Sequence, residues 1–451
     1  MRTVLKWLAI VLGSLVLLCV LLGGLVLLVN LRDEPLSAGA RALLTPPANP
    51  YPSAQNIYLA MMGYDAPPGE SPTTAGARLV EQFNANLEGM LRDQSAGRLR
   101  PQPPDPHALA FRGELGFIVA QAGSVLSQAS AHRAQITQLL RDNAELYQRY
   151  RALPGLRGYY ETVRPSWLAP ARGPNILHRL FLADVAVRAG DPASSAQAQA
   201  DLAADLRLWH AVLTGEGGIL SKMLAVAYLQ EDELLIADLL AEPRLPFTAA
   251  AEDVAPLYPL ADWDIGSAIA FEFRTAAALL RYTEEVGLHG GYAPGQGLMA
   301  RLRDRLGAHL FKVQATENLF AAAAAVRIRA AATPGLGPAA QSAPPPLSLY
   351  NPVGRLLAYV AQPGGTDQYV LRAWDGAAFQ RLLRLGFEIR RRAVPAADIP
   401  AFLGAHPEWS RHPLDGRPFL WDPARGELAV QTLAQYSSPR RFAIRIWQPA
   451  G

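Results

Sequence analysis

Between Trp7 and Val29 run 23 residues without a charge, with Ser14 as the one hydroxyl. As a helix this stretch rises about 34 Å at ~1.5 Å per residue, enough for a hydrocarbon core of ~30 Å. It holds ten Leu, five Val and one Ile, which at roughly −0.4 kcal/mol each favour insertion by about −6 kcal/mol. Arg2 and Lys6 precede it, whereas Arg32 is followed at once by Asp33 and Glu34. The basic bias places the N-terminus in the cytoplasm and exports the rest.

A cleavable signal would have a shorter apolar region with a small-residue exit beside it. Here the nearest such exit is Ala38-Gly39-Ala40, well past the apolar run. Leu18 before Cys19 is not the small residue a lipoprotein site needs, and Cys19-xxx-Gly23 is one isolated small-residue spacing. Residues 1–31 therefore read as an uncleaved signal-anchor whose partner is the lipid bilayer through Trp7 to Val29.

Half of the 451 residues are hydrophobic, ample for a sizeable core. Cys19 is the single cysteine, so no internal disulfide forms. Of 42 basic residues only Lys6, Lys222 and Lys312 are lysines, and the net charge is +3. Arg-rich, Ala-rich usage fits a GC-rich bacterial genome, and the anchor then faces the chain to the periplasm of the inner membrane. The small charge, with no basic face, argues against nucleic acid as a partner.

The expected fold is mainly α, with an antiparallel multi-helix domain and a small C-terminal α+β module. Residues 32–72 are Pro-rich and read as a linker that sets the domain away from the bilayer. The patch Ile57–Met62 within it is apolar enough to dock on the following domain, but one turn of peripheral helix is the preferred reading. Residues 73–332 carry helical periodicity. Thr74 is placed to cap a helix through Met90, a second helix is expected near Pro106 to Ser127, and Ile136, Leu139, Leu146 and Tyr150 stripe a third. Glu145 and Arg149 are expected to pair on its outside. Three helices follow, lined by Ile176/Leu180/Val187, by Leu202/Leu206/Trp209/Leu213, and by Leu220, Leu224, Ala227/Tyr228 and Leu234/Leu235, the last interrupted at Glu231-Asp232-Glu233. Two more run near Asp264 to Val286 and Leu298 to Ala332. Residues 333–349 form a second Pro-rich linker. Residues 350–451 hold a helix over Gly376 to Arg392 and a short one over Asp398 to Leu403. Strands are expected over Arg417 to Asp422, Glu427 to Leu433 and Phe442 to Trp447, the first two joined by the turn Pro423–Gly426.

Familiar catalytic motifs are missing. Thr214 to Lys222 has the glycines of a phosphate loop, but the order Ser221-Lys222 is reversed and a helix precedes it. Asp262-Trp263-Asp264 has a D-x-D form, for which Asp264 as a helix cap is the simpler account. His406 and His412 flank a proline and Glu408 without the i, i+4 spacing of a helical zinc site. Arg390-Arg391-Arg392 reads as a solvated helix end or a lipid-headgroup contact. No catalytic residue, cofactor or metal is assigned. Trp209, His210, Lys222, Glu272 and Arg274, polar or amphipathic residues set in apolar helical runs, are the pocket candidates.

Two stretches carry a resemblance. Gly217 to Leu240, with Ser221-Lys222-Met223, and Leu414-Asp415-Gly416-Arg417-Pro418-Phe419-Leu420-Trp421-Asp422 together resemble a loose group of uncharacterised proteobacterial single-pass inner-membrane/periplasmic proteins. In that group a Ser-Lys-Met-like helix precedes a D-x-x-x-G-x-P-x-x-[WY] hairpin. Here Asp415 directly precedes Gly416, a shorter spacing. The resemblance covers the exported half to two-thirds of the chain and implies no activity. The hairpin is also similar to that of pseudopilins, whose processing site the anchor lacks.

The chain thus reads as a membrane-anchored protein that binds a cell-envelope protein partner without catalysis. The rival is an envelope hydrolase using paired carboxylates in the helical domain, which needs no sequence motif.

Overall fold

A computed structural model describes residues 2–92, 105–118, 123–166, 174–242, 250–286, 309–333, 348–361, 366–434 and 441–446. The chain is mainly helical, with one small antiparallel sheet near its C-terminus. Helix α1 (Arg2–Val29) contains the one span among the described residues, Lys6–Val29, that is long and apolar enough to cross a membrane.

Where α1 ends, the chain is fastened rather than free. Asn30 is buried; its Nδ2 donates to the Leu349 carbonyl at 2.6 Å and its Oδ1 accepts from Asn351 N at 2.7 Å. Three residues on, Asp33 accepts from Gln314 N and Ala315 N at 2.8 and 3.1 Å. It thereby caps the exposed amides at the start of another helix (Val313–Ala332). Glu34 and Pro35 both accept from Asn318 Nδ2. Ser37 then caps α2 (Ala38–Leu44), which packs on the helices Gly266–Val286 and Val313–Ala332. Residues 32–72 are thus part of the packed body, and the spacing role expected of them fails.

The patch Ile57–Met62 is corrected in the same sense. It forms α3, with all six residues buried. Sinking Ile57, Leu59, Met61 and Met62 is worth roughly 1.5–3 kcal/mol each as an upper bound. Two glycines let α3 sink so far. Gly63 and Gly76 sit where α3 meets α4 (Pro72–Arg92), and a Cβ on either would fall inside the neighbouring backbone. Helix α4 starts at Pro72, which suits a first-turn position that needs no amide donor, so Thr74 lies inside it.

Residues 105–118 form turns, and helix α5 begins only at Val125 (Val125–Ala131), contrary to the helix expected over Pro106 to Ser127. Residues 119–122 lie outside the described residues. Asn143 gives the reason: its Oδ1 accepts from Arg112 N at 2.7 Å and its Nδ2 donates to Arg112 O at 2.9 Å. Both backbone groups of Arg112 are thereby satisfied in a non-helical form. The same residue divides the following helix into α6 (Arg133–Asp142) and α7 (Ala144–Ala152). The expected pair of Glu145 with Arg149 forms at 2.7 Å, but Arg149 points inward. It donates to the carbonyls of Tyr64, Ala66 and Pro67 and so ties α7 to the loop between α3 and α4.

Helices α8 (Asn175–Ala189), α9 (Ser195–Thr214) and α10 (Ile219–Ala241) run as expected, each packed on the next. Helix α10 differs from its reading in two ways. Glu231-Asp232-Glu233 does not interrupt it, and the expected stripe is only part of its buried face: Tyr228 and Leu235 are buried, Leu224 and Leu234 half-buried. Leu220 is exposed, while Lys222, Val226, Leu229, Asp232, Glu233 and Ile236 are buried. A helix covered nearly all round has no single apolar stripe to find.

After the short α11 (Ala251–Val254) come α12 (Gly266–Val286) and α13 (Val313–Ala332), which pack together. The expected start at Leu298 and most of the second linker, including Pro344 to Pro346, fall outside the described residues. Helix α14 (Pro352–Val360) is capped by Asn351, and α15 (Thr366–Arg391) starts ten residues before the expected Gly376. Its Phe379, Leu382, Leu383 and Phe387 are buried as read. Helix α16 (Ile399–Ala405) follows.

Strands β1 (Leu420–Asp422), β2 (Glu427–Gln431) and β3 (Arg441–Arg445) pair antiparallel in sequence order, with Leu420 opposite Ala429 and Glu427 opposite Arg445. Asp422 Oδ1 accepts from Ala424 N and Arg425 N, and Gly426 takes φ +61°, so the turn carries its own chemistry. The sheet packs on α15 and α10, with Ile444 and Ile446 against the gap left by Gly386. One hydrophobic cluster runs from Ala40 to Ile446, so the α+β portion and the helices share a core. At the end of α15, Glu388 gathers Arg391 and Arg392 at 2.5 and 3.1 Å, and Arg390 donates to Ile446 O; the arginine triplet is held by the protein itself.

Candidate functional site

Three of the five pocket candidates meet around the glycine turn between α9 and α10. Lys222 reaches back from α10, fully buried, and donates to the carbonyls of Val212, Leu213 and Gly215 at the C-terminus of α9. These carbonyls have no helical partner, and a cation satisfies them well. Burial pulls Lys222 down to about 8, with Glu216 and Glu161 opposing the fall. Arg274 of α12 pairs with Glu216 in a largely buried contact, and Glu272 Oε1 accepts from Ile219 N at 3.0 Å, capping α10. Glu161 accepts from Gly218 N and from the hydroxyls of Tyr159 and Ser221. A Cβ at Gly215 or Gly217 would press on Tyr159 or Glu161. The glycines therefore serve close packing, and Ser221 and Lys222 are engaged inside the protein rather than at a phosphate.

The other two candidates stand apart. His210 pairs with Asp262 at 2.9 Å and stacks on Tyr258 at 3.6 Å between ring centroids. Burial lowers its pKa, with Asp262 opposing. Asp264 Oδ1 accepts from Gly266 N at 2.8 Å at the start of α12, so the Asp-x-Asp residues act structurally as expected. His406 stacks on Trp409, while His412 is buried against Asp375 at 3.1 Å.

Beside the turn, a cavity of about 630 Å³ opens between α10, α12, α13, α14 and α15. Its lining is mostly apolar, including Leu220, Met223, Phe273, Ala324 and Ala358, with Glu272, Arg327 and Arg372 supplying charge. The volume falls within the roughly 300–1,000 Å³ of small-molecule sites. Glu272 is the single carboxylate among the described lining residues, and burial raises its pKa. Lys222 and His210 do not line it.

Trp209 belongs to a different cluster, which sequence reading missed. Its indole N–H donates to Asp205 Oδ2 at 3.0 Å. Tyr150 of α7 donates to both Asp205 oxygens at 2.9 and 3.0 Å. His178 of α8 lies beside them, with Nδ1 2.9 Å from the Tyr150 oxygen and 3.2 Å from Asp205 Oδ2. Tyr228 stacks on the imidazole at 4.1 Å. On the far side of the ring, Nε2 faces Glu231 Oε2 at 3.4 Å and Asp232 Oδ1 at 3.8 Å. Desolvation, then the carboxylates of Asp205, Glu231 and Glu233, hold Asp232 well above the usual carboxylate range. The available signal was a His and an Asp set among leucines on α8 and α10. Nothing local marks them as neighbours.

No family model, curated protein or solved structure matches the chain.

Proposed function

We propose that the protein is a membrane-anchored envelope protein that binds rather than catalyses, taking an amphipathic ligand with an acyl-like chain into the cavity beside the bilayer. The reading places α1 in the inner membrane, the N-terminus in the cytoplasm and the bulk of the chain in the periplasm. The observation that carries it is the sharing of helices: α13 and α14 wall the cavity and are also the elements hydrogen-bonded to the end of α1. Asn351, joined to Asn30, is the cap of α14, so this helix starts at the level where the apolar segment stops. Its outward face carries exposed Leu356, Tyr359 and Val360 at i, i+3 and i+4 spacing. An apolar chain leaving the bilayer would meet α14 first and the cavity next, with Arg327 or Arg372 offering a partner for an acidic head.

The hydrolase reading needs two carboxyls facing a cleft. Asp205 and Asp232 adjoin each other inside the core and Glu231 is largely covered, while the cavity has Glu272 without a second described carboxylate.

The test is binding of a fluorescent fatty acid by the full chain in nanodiscs. Saturable binding, weakened at least tenfold by Ala358→Trp at the cavity wall, is expected. Equal binding by the variant would refute the site. A reporter fused after Gly451 tests placement, since cytoplasmic activity would overturn the periplasmic assignment.

A further inference from the structure

The cluster around His178 gathers one imidazole and several carboxylates deep in the core, and several of their polar atoms meet no partner. Tyr150 places its hydroxyl proton on Asp205. Nδ1 of His178 then faces two acceptors, the phenol oxygen and the carboxylate, so Nδ1 carries hydrogen. In its neutral form the ring presents a lone pair at Nε2, free to ligate a cation. Opposite that lone pair stand Glu231 Oε2 and Asp232 Oδ1, at 3.4 and 3.8 Å. None of these atoms has a hydrogen-bond partner, nor does Asp232 Oδ2. His178 and Asp232 are fully buried. Unsatisfied polar atoms so deep are costly.

From this geometry we infer that His178 Nε2, Glu231 and Asp232 form a binding site for a divalent first-row cation, Zn²⁺ being the best match. Ligand atoms about 2.0–2.2 Å from a tetrahedral ion stand about 3.3–3.6 Å from one another, close to the 3.4 and 3.8 Å that separate Nε2 from the two carboxylate oxygens. One imidazole with two carboxylates is a donor set for Zn²⁺ or a neighbour in its series. Asp205 is the positioning residue: it lies in the same cluster as His178 and Asp232 and fixes the tautomer through Nδ1, as a carboxylate behind a ligating histidine does. Tyr228 holds the ring plane by stacking. Glu231, with 17% of its side chain exposed, gives the ion a way in. The ion would clamp α8 to α10 and leave the cavity untouched.

Full-length protein in detergent, stripped with a chelator, is titrated with Zn²⁺ and with Co²⁺ as a spectroscopic probe. The expected result is one ion per chain, a visible Co²⁺ absorption displaced by Zn²⁺, and a melting temperature that rises with Zn²⁺. Asp232→Asn and Glu231→Gln abolish stoichiometric uptake, and Asp205→Asn weakens it about 10–100-fold. Glu231 sits at the edge of the core, so Glu231→Gln is informative even where a central variant fails to fold. His406→Ala leaves uptake unchanged. The inference is overturned if stripped wild-type protein takes up no stoichiometric ion and melts at one temperature with or without Zn²⁺. It is equally overturned if uptake survives both Asp232→Asn and Glu231→Gln.

Discussion

Two alanine substitutions in one helix should move stability in opposite directions. Gly76 and Gly89 both lie in α4, but Gly76 faces α3, whereas Gly89 has nothing within 4 Å of where its Cβ would stand. At Gly76 the new methyl lands on the Leu59 carbonyl and reaches Gly63 N at 3.1 Å. These are backbone atoms, so no rotamer change can relieve the overlap, and α3 must move off α4. Overpacking of this kind costs about 1–3 kcal/mol, and backbone opposition argues for the upper end. Alanine returns about 1 kcal/mol of helix propensity, leaving a net loss of about 2 kcal/mol. At ~2.1 cal/mol/K of unfolding entropy per residue, a chain of 451 residues shifts by about 1 °C per kcal/mol, so the apparent melting temperature should fall by about 2 °C. Gly89→Ala gains about 0.5–1 kcal/mol and should raise it by about 0.5–1 °C. Far-UV circular dichroism in matched detergent reads both. A Gly76→Ala protein as stable as wild type, or shifts of the same sign for the pair, would refute the close-packing argument.

Asn30→Ala removes two hydrogen bonds that tie the end of α1 to Leu349 and Asn351. At about 0.5–1.5 kcal/mol each, the loss should speed amide hydrogen exchange in Pro352–Val360 several-fold, with little change in β2. Arg274→Met strands Glu216, whose side chain is 11% exposed, and should cost about 3–5 kcal/mol in chemical denaturation; adding Glu216→Gln should recover much of it. For Lys222, the folded value of about 8 lies below the ordinary 10.5. Between those values the unfolded chain binds more protons, so this group's contribution to stability rises with pH and is lowest below pH 8. Denaturation of Lys222→Met across that window should show a shallower rise than wild type, and an identical slope would count against the assignment.

Some of this molecule was plain in its residues. The run Trp7–Val29 has no folded alternative to a long apolar helix, and α1 follows it. The hairpin was legible because Pro423-Ala424-Arg425-Gly426 supplies its own turn and the flanking residues supply strand propensity. The order α8, α9, α10 came from periodicity broken by Gly-Asp-Pro and by the glycine turn. Each of these is a local preference that the tertiary structure had no cause to override.

Other features depended on which surfaces meet. Ile57–Met62 reads as a surface turn until Gly63 and Gly76 bring two backbones into contact. Asn143 reads as an unremarkable helical residue until its amide takes both backbone groups of Arg112. Arg149 reads as solvated until the carbonyls of the α3–α4 loop arrive around it. The pocket candidates divided for the same reason: Lys222, Glu272 and Arg274 are brought to one turn by α10 and α12, while Trp209 turns inward to Asp205. Periodicity tells which face of a helix avoids water; it says nothing about which other face it will touch. His178, Asp205 and Asp232 lie on three successive helices and acquire a common chemistry only because the bundle closes around them. The sequence by itself determined the membrane-length helix and the helical succession after it. The tertiary structure alone decided where the buried charges gather and that the cavity's own helices are tied to the end of α1.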